Sequence, residues 1–273
     1  MPDQSPLDLA QITLTALEEA TPASPAAEAA RLQYFSVLAD TEIFVLLEQE
    51  AQGAQFAPQV FAVSDGQFAL GFDAEDRLAA FAGGPAPYAA LPGRVLAHVL
   101  AEAGLGLGVN LGTVAESMLP AQAWEWLSQH LAKAGAAAPV AAVLRAPFSA
   151  PVGFPEALMQ GLVARMARFG TLAQEAWVIA PAPQAHLLIF VGADDAAGPA
   201  LAKMASEAVM FAGLDARDGA GFDLTVAVWR VDDPRLADLR AAGLSLPLPE
   251  PAATAGRSPT APGSDPARPP ILR

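Results

Sequence analysis

Cysteine is absent from this 273-residue chain. Disulfides, thiolate nucleophiles and cysteine-held metals are excluded with it. Histidine is scarce: His98, His130 and His186 are scattered, and no pair has the spacing of metal ligands. Lysine occurs only at 133 and 203, and the formal net charge is −14. A chain this acidic lacks the basic footprint that nucleic-acid phosphates or anionic lipid demand. No apolar run of membrane-spanning length is free of Gly, Pro or charge, and no basic segment leads into an apolar one as in a signal peptide. There is no Gly-x-Ser-x-Gly elbow and no phosphate-cradling Gly-Lys-Ser/Thr loop. These absences predict a cytoplasmic protein with no cofactor, no metal, no nucleic acid and no membrane among its partners.

What is present is apolar: 53% of residues are hydrophobic, enough for one large core or two modest ones. Residues 1–25 read as an N-terminal arm, with Leu9, Ile12, Ala16 and Leu17 lining a short helix that ends near Ala20 before a Thr-Pro-Ala-Ser-Pro break. A helix over 26–38 follows, with Ala29, Leu32, Phe35 and Leu38 at helical spacing. Residues 41–47 form an apolar run expected of a central strand. Residues 60–72 form a hairpin with Asp65-Gly66 at its tip. Asp73 then reads as an N-cap, with Glu75 and Asp76 in the first helical turn. A Gly/Pro loop over 83–88 leads to a helix over 92–103, stopped by Gly104. Val95, Leu96, Val99 and Leu100 are its expected apolar face, with His98 beside it. A glycine-rich strand over 105–112 and a helix from Ala121 to Lys133, packed through Trp124, Leu127 and Leu131, close this module (26–133).

Residues 134–150 carry Pro139 and Pro147 and read as a linker, although 140–144 are apolar enough for a short strand. The second module (151–248) opens with a helix begun by Pro155 and packed through Leu158, Leu162, Met166 and Phe169. Strands over 176–180 and 186–191, a helix over 199–211, a strand over 222–230 and a short helix to Ala242 follow. This order suggests a small antiparallel sandwich. The fold class is therefore α+β: two small α/β-layered domains, each a short mixed or antiparallel sheet covered by helices. Residues 249–273, rich in Pro, Ala, Ser, Gly and Thr, lack the apolar content to offset ordering and are expected to form a disordered tail. Its end, Arg268-Pro-Pro-Ile-Leu-Arg273, has the look of a short linear motif.

Candidate sites are few. The glycines at 106, 108 and 112 are spaced like a dinucleotide-binding turn, but they follow a helix instead of opening one. The acidic pairs Asp194-Asp195 and Asp232-Asp233 precede helices and read as caps. The stiff loop with Gly83, Gly84 and Tyr88, together with Phe81, is the candidate patch for a protein partner, with Asn110 added from the glycine strand. No catalytic residue is nominated.

The succession Leu38-Ala-Asp-Thr-Glu-Ile-Phe-Val-Leu-Leu47, Val60-Phe61, Phe72-Asp-Ala-Glu-Asp-Arg-Leu-Ala-Ala-Phe81 and Gly104-Leu-Gly-Leu-Gly-Val-Asn-Leu-Gly112 resembles the SseB N-terminal domain, from a family named for enhanced serine sensitivity. The likeness covers residues 26–133, and residues 151–249 resemble the companion C-terminal domain. It brings no reaction and no catalytic residue. Three readings follow: a non-catalytic interaction or adaptor protein; a sensor of a small molecule such as an amino acid, bound beside the glycine strand through Asn110; and an enzyme, which would need a deep pocket with two convergent ionisable groups.

Overall fold

The computed structural model describes residues 4–51, 56–64, 66–134, 139, 147–169, 172–182, 185–214 and 222–249. Helix α1 (Pro6–Ala20) opens with a capping box. The Ser5 hydroxyl accepts from the Asp8 amide, and the Asp8 carboxylate accepts from the Ser5 amide. The helix packs on α2 (Pro25–Asp40) and buries Leu7 and Leu14 in a cluster shared with it, while Asp8 is buried toward Arg77 and Asn110 and Leu9 is exposed. The inner face thus differs from the expected Leu9/Ile12/Ala16 stripe. A face that includes a buried aspartate cannot be found by apolar periodicity.

The first sheet comprises β1 (Glu42–Leu46), β2 (Phe61–Val63), β3 (Gly66–Phe72), β4 (Tyr88–Pro92), β5 (Gly106–Val109) and β6 (Ser117–Leu119). Its order is β4-β1-β3-β5-β6, with β2 pairing only with β3. Helices α3 (Glu75–Ala82), α4 (Gly93–Ala103) and α5 (Ala121–Ala134) accompany it. β1 lies antiparallel to β3 and β4, whereas β3 and β5 are parallel, so the chain must cross over between them, which it does through α3, β4 and α4. The second unit runs α6 (Glu156–Phe169), β7 (Glu175–Ala182), β8 (Ala185–Val191), α7 (Gly198–Phe211), β9 (Asp223–Trp229), α8 (Leu236–Ala242) and β10 (Leu244–Leu246). Its sheet order is β10-β7-β8-β9, and β8 and β9 are parallel. The antiparallel sandwich is therefore corrected to a mixed sheet, because α7 returns the chain to the end from which β8 began.

The two sheets share a plan. In each, a helix precedes an antiparallel pair (β1/β3, β7/β8), a crossover helix (α4, α7) leads to a parallel strand (β5, β9), and an edge strand (β4, β10) flanks the first member of the pair. The edge strand comes before the crossover helix in the first unit and at the end of the second.

Three further expectations are corrected. The N-cap of α3 is Ala74, without a side-chain cap; the Asp73 carboxylate instead accepts from Arg77. Tyr88 belongs to β4, which shortens the loop before it. His98 is solvent-exposed and lies 3.6 Å from Glu102. The tip residue Asp65, the segment 140–144 and residues 250–273 lie outside the described residues. The far end of the predicted linker packs on the second sheet: Ala180 donates to the Ser149 carbonyl at 3.0 Å, and the Phe148 ring lies 5.9 Å from that of Trp229.

The halves meet through α2, α5 and α7. Met210 and Phe211 of α7 enter the same buried cluster as Tyr34, Phe35 and Trp124. Beside that cluster is an alternating ring of charge. Arg94 contacts both Asp40 and Glu207, the latter at 2.9 Å. Arg165 lies 2.7 Å from Glu207 and 3.3 Å from Asp40. Arg165 also donates to the Ser36 hydroxyl at 2.9 Å. Burial alone would lower the Arg94 pKa, but the Glu207 and Asp40 carboxylates outweigh it and raise it. Asp40 and Arg94 come from the first unit, Arg165 and Glu207 from the second, so the ring closes only across the join.

Candidate interaction surface

Phe81 ends the apolar side of α3, which stops at Gly83 in the left-handed conformation, φ 79°. Gly84 donates back to the Ala79 carbonyl at 2.9 Å. No atom would lie within 4 Å of a Cβ at either glycine, so Gly83 is there for its backbone shape and both leave an open lip. The Pro87 carbonyl accepts from the Leu47 amide at 2.9 Å, which fixes the loop to β1. Between the loop, the end of β1 and the start of β2 lies an open groove of about 410 Å³, walled by Leu46, Gln59, Phe61, Phe81 and Pro87, with Glu48 on its wall. Phe61 and Phe81 are 38% and 45% exposed, high values for rings that flank one cleft.

Tyr88 stands at the loop end, opposite Leu46 in the β1/β4 register, with its ring edge-on to Phe44 at 5.3 Å. A hydrogen bond with Glu75, together with the charges of Glu50 and Glu42, raises the Tyr88 pKa. That shift marks an acidic surround. Residues 1–133 hold four Lys/Arg against sixteen Asp/Glu, so nearly all of the net charge belongs to the half that carries the groove.

Of the five predicted residues, Phe81 lines this groove; Gly83, Gly84 and Tyr88 neighbour lining residues in sequence but are not part of its wall. Asn110 is fully buried, with φ 50°, a conformation that asparagine tolerates. Its Oδ1 accepts from the Asp73 amide at 3.0 Å, and its Nδ2 faces Asp8 Oδ1 at 3.5 Å. The space over the glycine strand is also filled: a Cβ on Gly106 would lie 2.4 Å from the Phe68 ring, and one on Gly108 3.0 Å from Leu70. Those glycines admit neighbouring side chains. Sequence reading missed Phe61, because alternation in a hairpin predicts one buried face, whereas all three β2 residues are exposed.

Asn110 belongs instead to the joint that holds α1. There Arg77 contacts both Asp8 and Asp73, the latter at 2.9 Å. The Arg77 hydrogen bond, opposed by burial and assisted by the Ser5 amide, holds the Asp8 carboxyl below its usual range. A carboxylate with a depressed folded-state pKa contributes stability that is present above about pH 4 and lost as pH falls through the lower folded value. The stability of the wild type should therefore decline as pH falls below about 4, and Asp8→Asn should flatten that decline. Urea unfolding at several pH values checks this; equal slopes for the two proteins would refute it.

Among the described residues, no group of three or more His, Cys, Asp or Glu is placed to hold a metal, and no helix is long and apolar enough to cross a membrane. A second pocket, between α6, α7 and β8, is lined by Met166, Phe190, Leu201, Met204 and Leu248 and carries no ionisable group. No protein-family model matches the chain, and no curated protein or solved structure matches it significantly.

Proposed function

We propose that this chain is a non-catalytic interaction or adaptor protein of the SseB family, acting in the cytoplasm, and that its partner docks on the groove beside the loop at 83–88. The observation that carries the reading is the pair of half-exposed rings, Phe61 and Phe81, facing one open cleft with a rigid lip. Aromatic side chains offer large contact area at low entropic cost, which suits them as anchors of an interface. Among the described residues that line the groove, Glu48 is the one ionisable side chain, an arrangement suited to recognition more than to proton transfer. The SseB assignment rests on the order and spacing of the motifs at 38–47, 60–61, 72–81 and 104–112.

The test is capture of a stoichiometric partner by the full chain, repeated with Phe81→Asp and with Tyr88→Ala. Each substitution removes a ring that lies 5.3 Å from a phenylalanine, Phe72 for Phe81 and Phe44 for Tyr88, and should cost about 1–2 kcal/mol, too little to unfold the chain. Partner recovery should fall at least ten-fold while the circular dichroism spectrum is retained. Undiminished capture by both variants, or no partner under several conditions, would overturn the proposal.

A further inference from the structure

We propose that α1 is exchanged between two copies of this chain, each copy supplying the Asp8 that pairs with Arg77 of the other, in a domain-swapped dimer. The inference goes beyond the groove reading and does not depend on it. The surface is the bed on which α1 lies, and the partner is a second copy. Leu7 and Leu14 enter the same buried cluster as Tyr34 and Trp124. The Asp8 carboxylate accepts from Arg77 at 2.7 Å, and the Ser5 hydroxyl donates to the Asp73 carboxylate. Glu18 accepts from Arg31 of α2 at 2.6 Å. All of these contacts join α1 to the body, and all are the same whichever copy supplies the helix. Exchange therefore keeps them, and the hinge sets the balance between monomer and dimer. Helix α1 is also an addition to the plan that the halves share: the second unit begins at α6, with no helix in the position of α1 among the described residues.

The hinge, residues 21–24, is strained in the closed chain. Ala23 has φ 64°, the left-handed region, where its methyl crowds the following carbonyl and no side-chain hydrogen bond offsets the clash. The one other described non-glycine residue with positive φ is Asn110. Pro22 and Pro25 hold the residue before each of them out of the helical region, with ψ 72° at Thr21 and ψ 155° at Ser24. An opened hinge thus cannot fuse α1 and α2 into one helix; it extends, and Ala23 relaxes to negative φ. Opening breaks the bond from the Ser24 amide to the Thr21 carbonyl, 3.2 Å long, at a turn where water replaces it. Short hinges under strain favour exchange. Thr21, Pro22 and Ala23 are all exposed, so two copies can bring their hinges together. Relief of left-handed strain at one residue is worth about five- to thirty-fold in the equilibrium, and a dimer relieves two.

The experiment is size-exclusion chromatography with light scattering on the full chain, from micromolar to millimolar concentration. Salt at about 0.15 M screens the repulsion between two acidic bodies. The wild type should pass from monomer to dimer as concentration rises. Ala23→Gly takes the turn without strain and should raise the dissociation constant at least twenty-fold, one factor for each hinge. Ala23→Pro fixes φ near about −65°, forbids the turn and should give dimer throughout. A charge reversal shows that α1 is the element exchanged. Asp8→Arg and Arg77→Asp each set like charges together, whether in a closed monomer or in a dimer of one variant. Mixing the two restores opposite charges at both beds only if α1 crosses between copies, so the mixture should give a one-to-one dimer while each variant alone stays monomeric. A monomeric Ala23→Pro, or a dimer whose dissociation constant is indifferent to residue 23, overturns the proposal. A wild-type dimer without a mixed dimer from the reversed pair places the contact elsewhere and overturns it too.

Discussion

Glu207→Ala should destabilise the protein by about 3–5 kcal/mol, the range for leaving a buried charge without its partner. Glu207 is 1% exposed and contacts Arg94 and Arg165, the latter itself 3% exposed. Removing the carboxylate leaves two cations in low dielectric sharing Asp40. In thermal terms the loss is about 10 °C for a chain of this length. The gain from the intact ring is smaller than the damage from breaking it. Replacing Glu207 and Arg165 together by methionine should therefore cost less than Glu207→Ala alone. Urea unfolding of the single and double variants provides the measurement, and additive losses would show that the ring is not a coupled unit. Because the ring spans the join, Glu207→Ala should also split a single unfolding transition into two, one for each half.

Gly93→Ala should have a comparable effect through backbone contact. A Cβ there would lie 1.9 Å from the Leu38 carbonyl oxygen and 2.8 Å from the Leu38 carbonyl carbon. Neither atom can rotate away as a flexible side chain would. The Gly93 amide also donates to the Thr41 carbonyl at 2.8 Å, so the start of α4 is pressed onto the end of α2. The alanine methyl must push the two helices apart, at roughly 3 kcal/mol or more. Arg94 follows directly and reaches Asp40 only because the helices touch. Gly93→Ala and Glu207→Ala should thus be strongly non-additive, the second substitution doing less harm once the first is present. Wild-type stability in Gly93→Ala, measured by urea unfolding, would refute this account.

The fold class and most long elements were legible in the sequence because their signals were redundant. Helix α5 shows its face in Trp124, Leu127 and Leu131, and α6 in Leu158, Leu162 and Met166, all buried. The glycine strand was recognisable by exclusion, since its glycines follow a helix. The edge strands β4, β6 and β10 were not legible: they are three to five residues long, and half-exposed residues give no alternation to read. The role of Asp73 was misread because a cap and an ion-pair partner look identical in one dimension. Its carboxylate takes Arg77 one turn on and also the hydroxyl of Ser5, 68 residues away in the chain. Asn110 reads in the sequence as part of the interaction patch, but its amide is buried and engaged with Asp73 and Asp8. Phe81 and the Gly83–Gly84 pair were legible as a stiff apolar lip, whereas the opposite wall needed the path of β2. The charge ring was invisible, since Asp40, Arg94, Arg165 and Glu207 are separated by tens of residues and each sits in an ordinary helical context.

The inversion of charge in that ring governs which halves can recognise each other. The two sheets share a plan, and the helix before the strand pair carries an acid in one half, Asp40, and a base in the other, Arg165. The crossover helix carries the reverse, Arg94 in one and Glu207 in the other. Two copies of the first half brought together in the same manner would set carboxylate against carboxylate and guanidinium against guanidinium. Two copies of the second half would do the same. Like units therefore repel where unlike units lock, and a chain separated into its halves would reassemble as a one-to-one heterodimer.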